Sequence, residues 1–106
     1  MKYYAIAELD MTDDRGWARE YVENVTPMVE RRGGRFLART DTIQLVEGER
    51  SVPHLFLIIE WPSQEAAGEF YESIEYQPYR DARIAGTHSQ FFLVAGEDVN
   101  GVARIE

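Results

Sequence analysis

Apolar and polar residues alternate from Tyr3 to Asp10, with Tyr3, Ala5, Ala7 and Leu9 on one face and Tyr4, Ile6, Glu8 and Asp10 on the other. A period of two is that of a strand. The period then lengthens. Trp17, Tyr21, Val25, Met28 and Val29 recur at helical spacing and make one buried stripe. Thr12 is expected to cap this helix, with Asp13 and Asp14 at its positive first turn. Pro27 should bend it, and Gly33-Gly34 should end it, one of the two in the left-handed conformation. A long second strand is expected from Arg35 to Glu47, a turn at Gly48-Glu49-Arg50-Ser51, and a third strand from Val52 to Trp61. Within it Leu55 to Ile59 is continuously apolar, so both faces of that strand call for cover. Pro62-Ser63 opens a second helix with Ser63 as its cap and Ala66, Ala67, Phe70, Tyr71 and Ile74 as its inner face. Ser73 is placed to cap a further short helix from Glu75 to about Ile84, Gly86 breaks it, and Gln90 to Ala95 is the last strand.

The order β-α-β-β-α-(α)-β, with right-handed crossovers, predicts an α+β fold: a four-stranded antiparallel sheet with its helices on one face. Residues 1–96 are read as one domain and 97–106 as a flexible C-terminal tail. The second sheet face also carries apolar residues. The economical cover is a second copy of the chain, so a homodimer is expected.

Composition narrows the function. At 106 residues, 44% of them apolar, the chain can build one core and gains from pairing with a second copy. The net charge of −8 and pI near 4.7 oppose binding to nucleic acid or anionic membranes. No run approaches the roughly 20 apolar residues of a membrane span. The N-terminus has no signal-peptide pattern, and a cytoplasmic location is expected. The absence of cysteine removes disulfides, thiolate nucleophiles and thiolate metal sites. His54 and His88 are the only histidines and have no metal-ligand spacing, so neither a metal nor a cofactor is expected. They read as ordinary strand-end histidines, with a position at a cleft mouth as the functional alternative. Gly33-Gly34-Arg35 precedes a strand and is not a phosphate loop. Glu30-Arg31-Arg32 and Asp81-Ala82-Arg83 are mixed in sign and read as solvated faces.

Charges inside the strands are the more informative chemistry: Glu8, Arg35, Arg39, Asp41 and Glu60. A charge within an apolar strand costs free energy unless paired. Folding the second strand back on the third places Arg39 opposite Glu60, within a register step. That pair is either a structural tie at a sheet edge or dimer seam, or an anion anchor beside a proton-transferring carboxylate. Tyr71, Tyr76 and Tyr79 crowd the second helical region, Tyr71 at core spacing. Tyr76 and Tyr79 read as packing residues or as hydroxyls facing a pocket.

The stretch Gly33-Gly34-Arg35-Phe36-Leu37-Ala38-Arg39 carries a resemblance, together with Glu47-Gly48, Ile59-Glu60-Trp61-Pro62-Ser63, Glu65-Ala66-Ala67, Phe70-Tyr71-Glu72-Ser73, Glu75-Tyr76-Gln77, Arg80 with Arg83, and Phe92 to Gly96. The chain resembles the domain-of-unknown-function thirteen-thirty family over nearly its whole length to Gly96. Ile74 stands where many members have proline. The resemblance implies a ferredoxin-like fold of the dimeric α/β-barrel superfamily, which includes cofactor-free monooxygenases and isomerases. By that analogy the chain is expected to bind, and as an enzyme to transform without a cofactor, a small carbonyl-bearing or aromatic metabolite in a cleft between sheet and helices. Glu60 and Tyr76 are the catalytic candidates; Arg35, Arg39, His54 and Arg80 are the ligand-binding candidates. The competing expectation is a structural or interaction protein, its cleft filled by Trp17, Phe56 and Ile58 and its Arg39 fully paired.

Overall fold

The alternating segment forms β1 (Tyr3–Met11), and it lies inside the sheet. It pairs antiparallel with β3 (Leu55–Trp61) on one side and β4 (Thr87–Ala95) on the other, while β2 (Arg35–Thr40) pairs with β3 at the edge. The order is β2-β3-β1-β4. The computed structural model describes residues 1–13 and 15–106. Three helices complete the chain: α1 (Ala18–Arg31), α2 (Gln64–Tyr71) and α3 (Gln77–Gly86). This is the expected ferredoxin-like α+β architecture.

Strand period sorts the sheet into two faces. Ala5, Ala7, Leu9, Leu57, Ile59 and Trp61 point toward the helices and are buried with Val25, Val29, Ala67, Phe70 and Tyr76. An aromatic column ties sheet to helices: Trp61 stacks on Phe70 at 5.4 Å, and Phe70 stacks on Tyr76 at 4.3 Å. The opposite face carries Ile6 across from Ile58 and Phe92, flanked by Tyr4, Phe56 and Val94. Phe92 and Val94 are exposed there.

Local chemistry sets the ends of the elements. Ser63 caps α2 by accepting the Ala66 N–H at 3.1 Å. After α1, Gly33 takes φ 92°, the left-handed region, and the Gly34 N–H donates to the Val29 carbonyl at 2.9 Å. Gly34 serves space rather than handedness. A Cβ there would meet Val29 Cγ1 at 2.5 Å and Trp61 Cη2 at 3.1 Å. Ser73 hydroxyl donates to the Phe70 carbonyl and accepts the Tyr76 N–H, turning the chain from α2 into α3. Pro27 lies within α1 without ending it.

Several boundaries differ from the sequence reading. Thr12 does not cap α1, which begins at Ala18; its backbone N–H and hydroxyl both donate to the Gly86 carbonyl and tie β1 to the end of α3. Asp14, expected in the first turn of that helix, lies outside the described residues. β2 stops at Thr40 instead of Glu47 and β3 starts at Leu55 instead of Val52, leaving 41–54 as a loop. The Thr40 hydroxyl accepts the Thr42 N–H and bends the chain off the ladder, and Pro53 has no N–H to offer it. Ile74, expected on the inner face of α2, is 87% exposed because α2 has already ended at Tyr71. β4 begins at Thr87, three residues before Gln90. Beyond it, the Asp98 carboxylate accepts the N–H groups of Asn100, Val102 and Ala103 and shapes a turn. Among the described residues no helix is long and apolar enough to cross a membrane.

Candidate functional site

The helices and the sheet enclose a cavity of about 80 Å³. Its walls are mostly apolar, from Leu9, Val25, Leu57, Ile59, Phe70 and Phe91, and its polar groups are Tyr21, Arg39, Tyr76 and Arg83 with the edge of Trp17. Tyr21 reaches it from α1, one turn before Val25. Tyr76 enters from the turn into α3. Arg83 follows Tyr76 by seven residues, two helical turns, so α3 presents both on one face.

The hydroxyls of Tyr21 and Tyr76 are hydrogen-bonded at 2.5 Å. Burial pushes the Tyr21 hydroxyl well above the ordinary phenol value, and Tyr76 adds to the shift, so it stays protonated at any physiological pH. Arg83 is 2% exposed. Its Nη1 donates to Ser89 Oγ at 3.1 Å and its guanidinium carbon lies 5.1 Å from the Phe91 ring centre. Its Nε and Nη2 are buried without a hydrogen-bond partner of good geometry. Burial disfavours the charge, but the neighbouring Tyr76 and Tyr21 hydroxyls outweigh it and hold the guanidinium protonated. No aspartate or glutamate is among the described residues lining the cavity. The site is thus an apolar chamber with a buried cation and two phenol hydroxyls.

The expected site residues separate. Tyr76 lies in the cavity, and Arg39 lines it from β2. Arg39 does not face Glu60. A bulge between Phe36 and Ala38 shifts the register, so Phe36 and Arg39 stand opposite Ile59 and Leu57 on the helix face. Arg39 lies 4.6 Å over the Phe36 ring, and its Nη1 donates to Thr26 Oγ1 at 2.9 Å. Glu60 is opposite Arg35 on the other face of the sheet, bound to Arg35 and Lys2 at 3.3 Å each. His54 does not line the cavity: its Nδ1 accepts the Met11 N–H at 2.8 Å, and its own N–H donates to Asp10 Oδ1. Arg80 braces α3 against α2, donating to the Tyr71 carbonyl at 2.8 Å. Phe56 and Ile58, expected to fill the cleft in the structural reading, lie on the outer face and leave it open. Among the described residues no three His, Asp or Glu side chains converge as a metal site would require.

Arg83 and Tyr21 were not legible as site residues. Arg83 sits in Asp81-Ala82-Arg83, which reads as a solvated face and is instead buried at its last member. Tyr21 reads as one more core position of α1. The available signal was the seven-residue spacing from Tyr76 to Arg83.

Glu60 has a consequence for pH. Partial burial raises its carboxyl, but the Lys2 hydrogen bond and the Arg35 charge outweigh that and hold it below the ordinary glutamate value. Its contribution is therefore present above the unfolded pKa and is lost as pH falls through the folded one. Urea melts between pH 7 and pH 3 should show a shallower acid loss for Glu60→Gln than for the wild type. Parallel curves would mean the two ion pairs add nothing, the usual outcome for exposed pairs.

Fold and cavity define a ferredoxin-like domain with a small apolar chamber between sheet and helices. The chain belongs to the family Domain of unknown function (DUF1330), whose model matches residues 2–97. Among solved structures it resembles RPA0582, a protein of unknown function from Rhodopseudomonas palustris, at 17% identity and TM-score 0.73, covering 88% of this chain and 80% of that one. It also resembles SnoaB, a cofactor-independent oxygenase from Streptomyces nogalater, at 13% identity and TM-score 0.64, covering 92% of this chain and 95% of that one. No curated protein matches the chain.

Proposed function

We propose that this domain binds a small oxygen-bearing organic molecule, carbonyl-bearing or aromatic, in the cavity between sheet and helices. The observation that carries the reading is the chamber itself, an apolar cavity between sheet and helices whose lining includes Tyr21, Tyr76 and Arg83, the last held protonated by the two hydroxyls. The Tyr21–Tyr76 pair supports the same reading, because one hydroxyl proton lies between the two oxygens and the other can reach a ligand acceptor. In an enzymatic version, Tyr76 gives or takes a proton at the ligand oxygen and Arg83 stabilises negative charge there, with no cofactor. The fold shared with a cofactor-independent oxygenase favours that version by analogy. Arg39 guards the entrance, whereas Arg35, Glu60 and His54 serve the sheet. The test is methyl-detected NMR against a library of small organic oxygen compounds. Binders should shift Val25, Leu57 and Ile59. A library that moves only outer-face residues, or nothing, overturns the reading.

The outer face is proposed as a homodimer seam. Its apolar stripe of Ile6, Ile58 and Phe92 is bordered by Glu8–Arg50 and Lys2–Glu60–Arg35 pairs, a polar rim around an apolar centre. Sedimentation should show a wild-type dimer and an Ile58→Glu monomer with unchanged helical signal. A monomeric wild type at high micromolar concentration would sink this assignment.

A further inference from the structure

We propose that a second, larger cleft, open between α2 and β4, binds a neutral, flat aromatic molecule of about two fused rings. It is a different site from the cavity described above, and the two readings stand or fall separately. Ile59, Phe70 and Phe91 line both.

The topology leaves this cleft open. The α2 helix packs on β1 and β3. On β4, Leu93 and Phe91 stand opposite Ala5 and Ala7 and point to the same, helix-covered face of the sheet. Leu93 is nevertheless 43% exposed. The floor beside α2 is made of buried apolar residues, Ala5, Ile59, Trp61 and Phe70. Gly68, Glu72 and Leu93 are the exposed members of the lining and mark its mouth.

Gly68 is the second observation. Ala67, Gly68, Tyr71 and Glu72 line the cleft at the i, i+1, i+4 and i+5 positions of one side of α2. Glycine inside a helix is less favourable than alanine. A Cβ at Gly68 would meet nothing within 4 Å, so packing within the chain does not call for glycine. Its φ is not positive, so handedness does not call for it either. The absent side chain leaves the wall of the cleft flat and its floor within reach of a ligand.

Size, shape and charge give the class of molecule. A cavity of about 150 Å³ admits benzene. This cleft holds about 270 Å³, which suits about ten non-hydrogen atoms. Trp61 and Phe70 are stacked at 5.4 Å, and Tyr71 and Phe91 lie at 6.0 Å, so a flat ring meets other rings in offset or edge contact. The described lining contains no lysine, arginine or histidine. Its one charge is the Glu72 carboxylate at the mouth, 3.7 Å from Arg80, on a chain of net charge −8. An anionic ligand would set its charge against Glu72 and an apolar floor. A neutral molecule with one hydroxyl keeps that hydroxyl at the mouth, where Glu72 or water accepts its hydrogen bond.

The experiment uses 2-naphthol as the probe, with methyl-detected NMR on the wild-type protein. Ala67 and Leu93 report on the cleft alone, Val25 and Leu57 on the cavity alone. 2-Naphthol should move Ala67 and Leu93, and bind about tenfold more tightly than 2-naphthoate or the saturated 2-decalol. Gly68→Leu should fold, with a melting temperature at or above the wild type, and lose about tenfold in 2-naphthol affinity. Gly68→Ala should melt a few degrees higher. Undiminished affinity in Gly68→Leu would overturn the site, and a lower melting temperature for Gly68→Ala would show that the fold itself requires the glycine. Equal binding of 2-naphthoate would overturn the neutral class, and equal binding of 2-decalol the aromatic one. No response at Ala67 and Leu93 would overturn the cleft, whatever Val25 and Leu57 do for the cavity. Leu93 shifts that follow protein concentration and ignore 2-naphthol would put a second copy of the chain on the cleft and overturn the proposal.

Discussion

Arg83→Met should make the ligand-free protein more stable, by about 1–3 kcal/mol, while weakening the binding of any cavity ligand. The expectation runs against the rule that most core substitutions destabilise. Arg83 is 2% exposed, with two guanidinium nitrogens lacking a hydrogen-bond partner of good geometry and no carboxylate among the described residues of the chamber. Replacing buried charges by apolar groups of similar volume is often stabilising by about 1–4 kcal/mol. Methionine follows the path of the arginine stem and adapts to irregular space. Against this stand the loss of the Ser89 bond, which water can replace at a half-buried hydroxyl, and of the Tyr21 and Tyr76 hydroxyls' hold on the guanidinium. Urea unfolding in the absence of ligand decides it. A clear destabilisation would mean that the Ser89, Phe91 and tyrosine contacts outweigh the desolvation. Arg83 would then be a structural cation with no part in the ligand reading. Stabilisation together with weakened binding is the signature of a site kept at the expense of stability.

Trp61→Ala should cost about 3–5 kcal/mol, the range for a fully buried large aromatic. Trp61 is 1% exposed, stacks on Phe70, and fills the space that Gly34 leaves open beside Val29. Phe70 in turn stacks on Tyr76, so the column carries packing from the last residue of β3 to the hydroxyl pair of the cavity. Domains of this kind are stable by about 5–15 kcal/mol in total, so the variant should sit near the threshold of folding. Its Tyr76 should also be displaced. Thermal melts and the Tyr76 ring resonances measure the two effects. A loss under about 1 kcal/mol would show that Phe70 and Val29 collapse into the space and that the column does not hold the site.

Much of the architecture is legible in the sequence. The alternation of Tyr3 to Asp10, the helical stripe from Trp17 to Val29 and the Ser63 cap each correspond to an observed element, because each depends on neighbours a few residues away. The boundaries that moved depended on single bonds to distant or turning backbone. Thr12 found the Gly86 carbonyl rather than a helix N–H, and Thr40 accepted the Thr42 N–H and stopped β2 early.

The candidate site was harder to read. Tyr76 and Arg39 reach the cavity, as a pocket role for them requires, but Glu60 does not. In β3 Ile59 and Trp61 face the helices, so Glu60 between them faces outward, and one extra residue in β2 turned Arg39 the other way. Side chains alternate with period two, so the bulge at Leu37 sends Arg39 to the helix face while Arg35 stays with Glu60 on the other. Arg83 was missed for a related reason. An arginine between an alanine and an isoleucine near a helix end looks solvated, and only the packing of α3 against α1 and β4 buries it.

The sequence by itself determined the order of elements, the two-faced sheet and the family, since periodicity, caps and glycine positions are local properties written residue by residue. Tertiary structure alone decided which charges share a face, where Arg83 points and what it lacks. Those depend on the register of one bulge and on three helix-borne side chains meeting over the sheet, and no spacing along the chain encodes such a meeting.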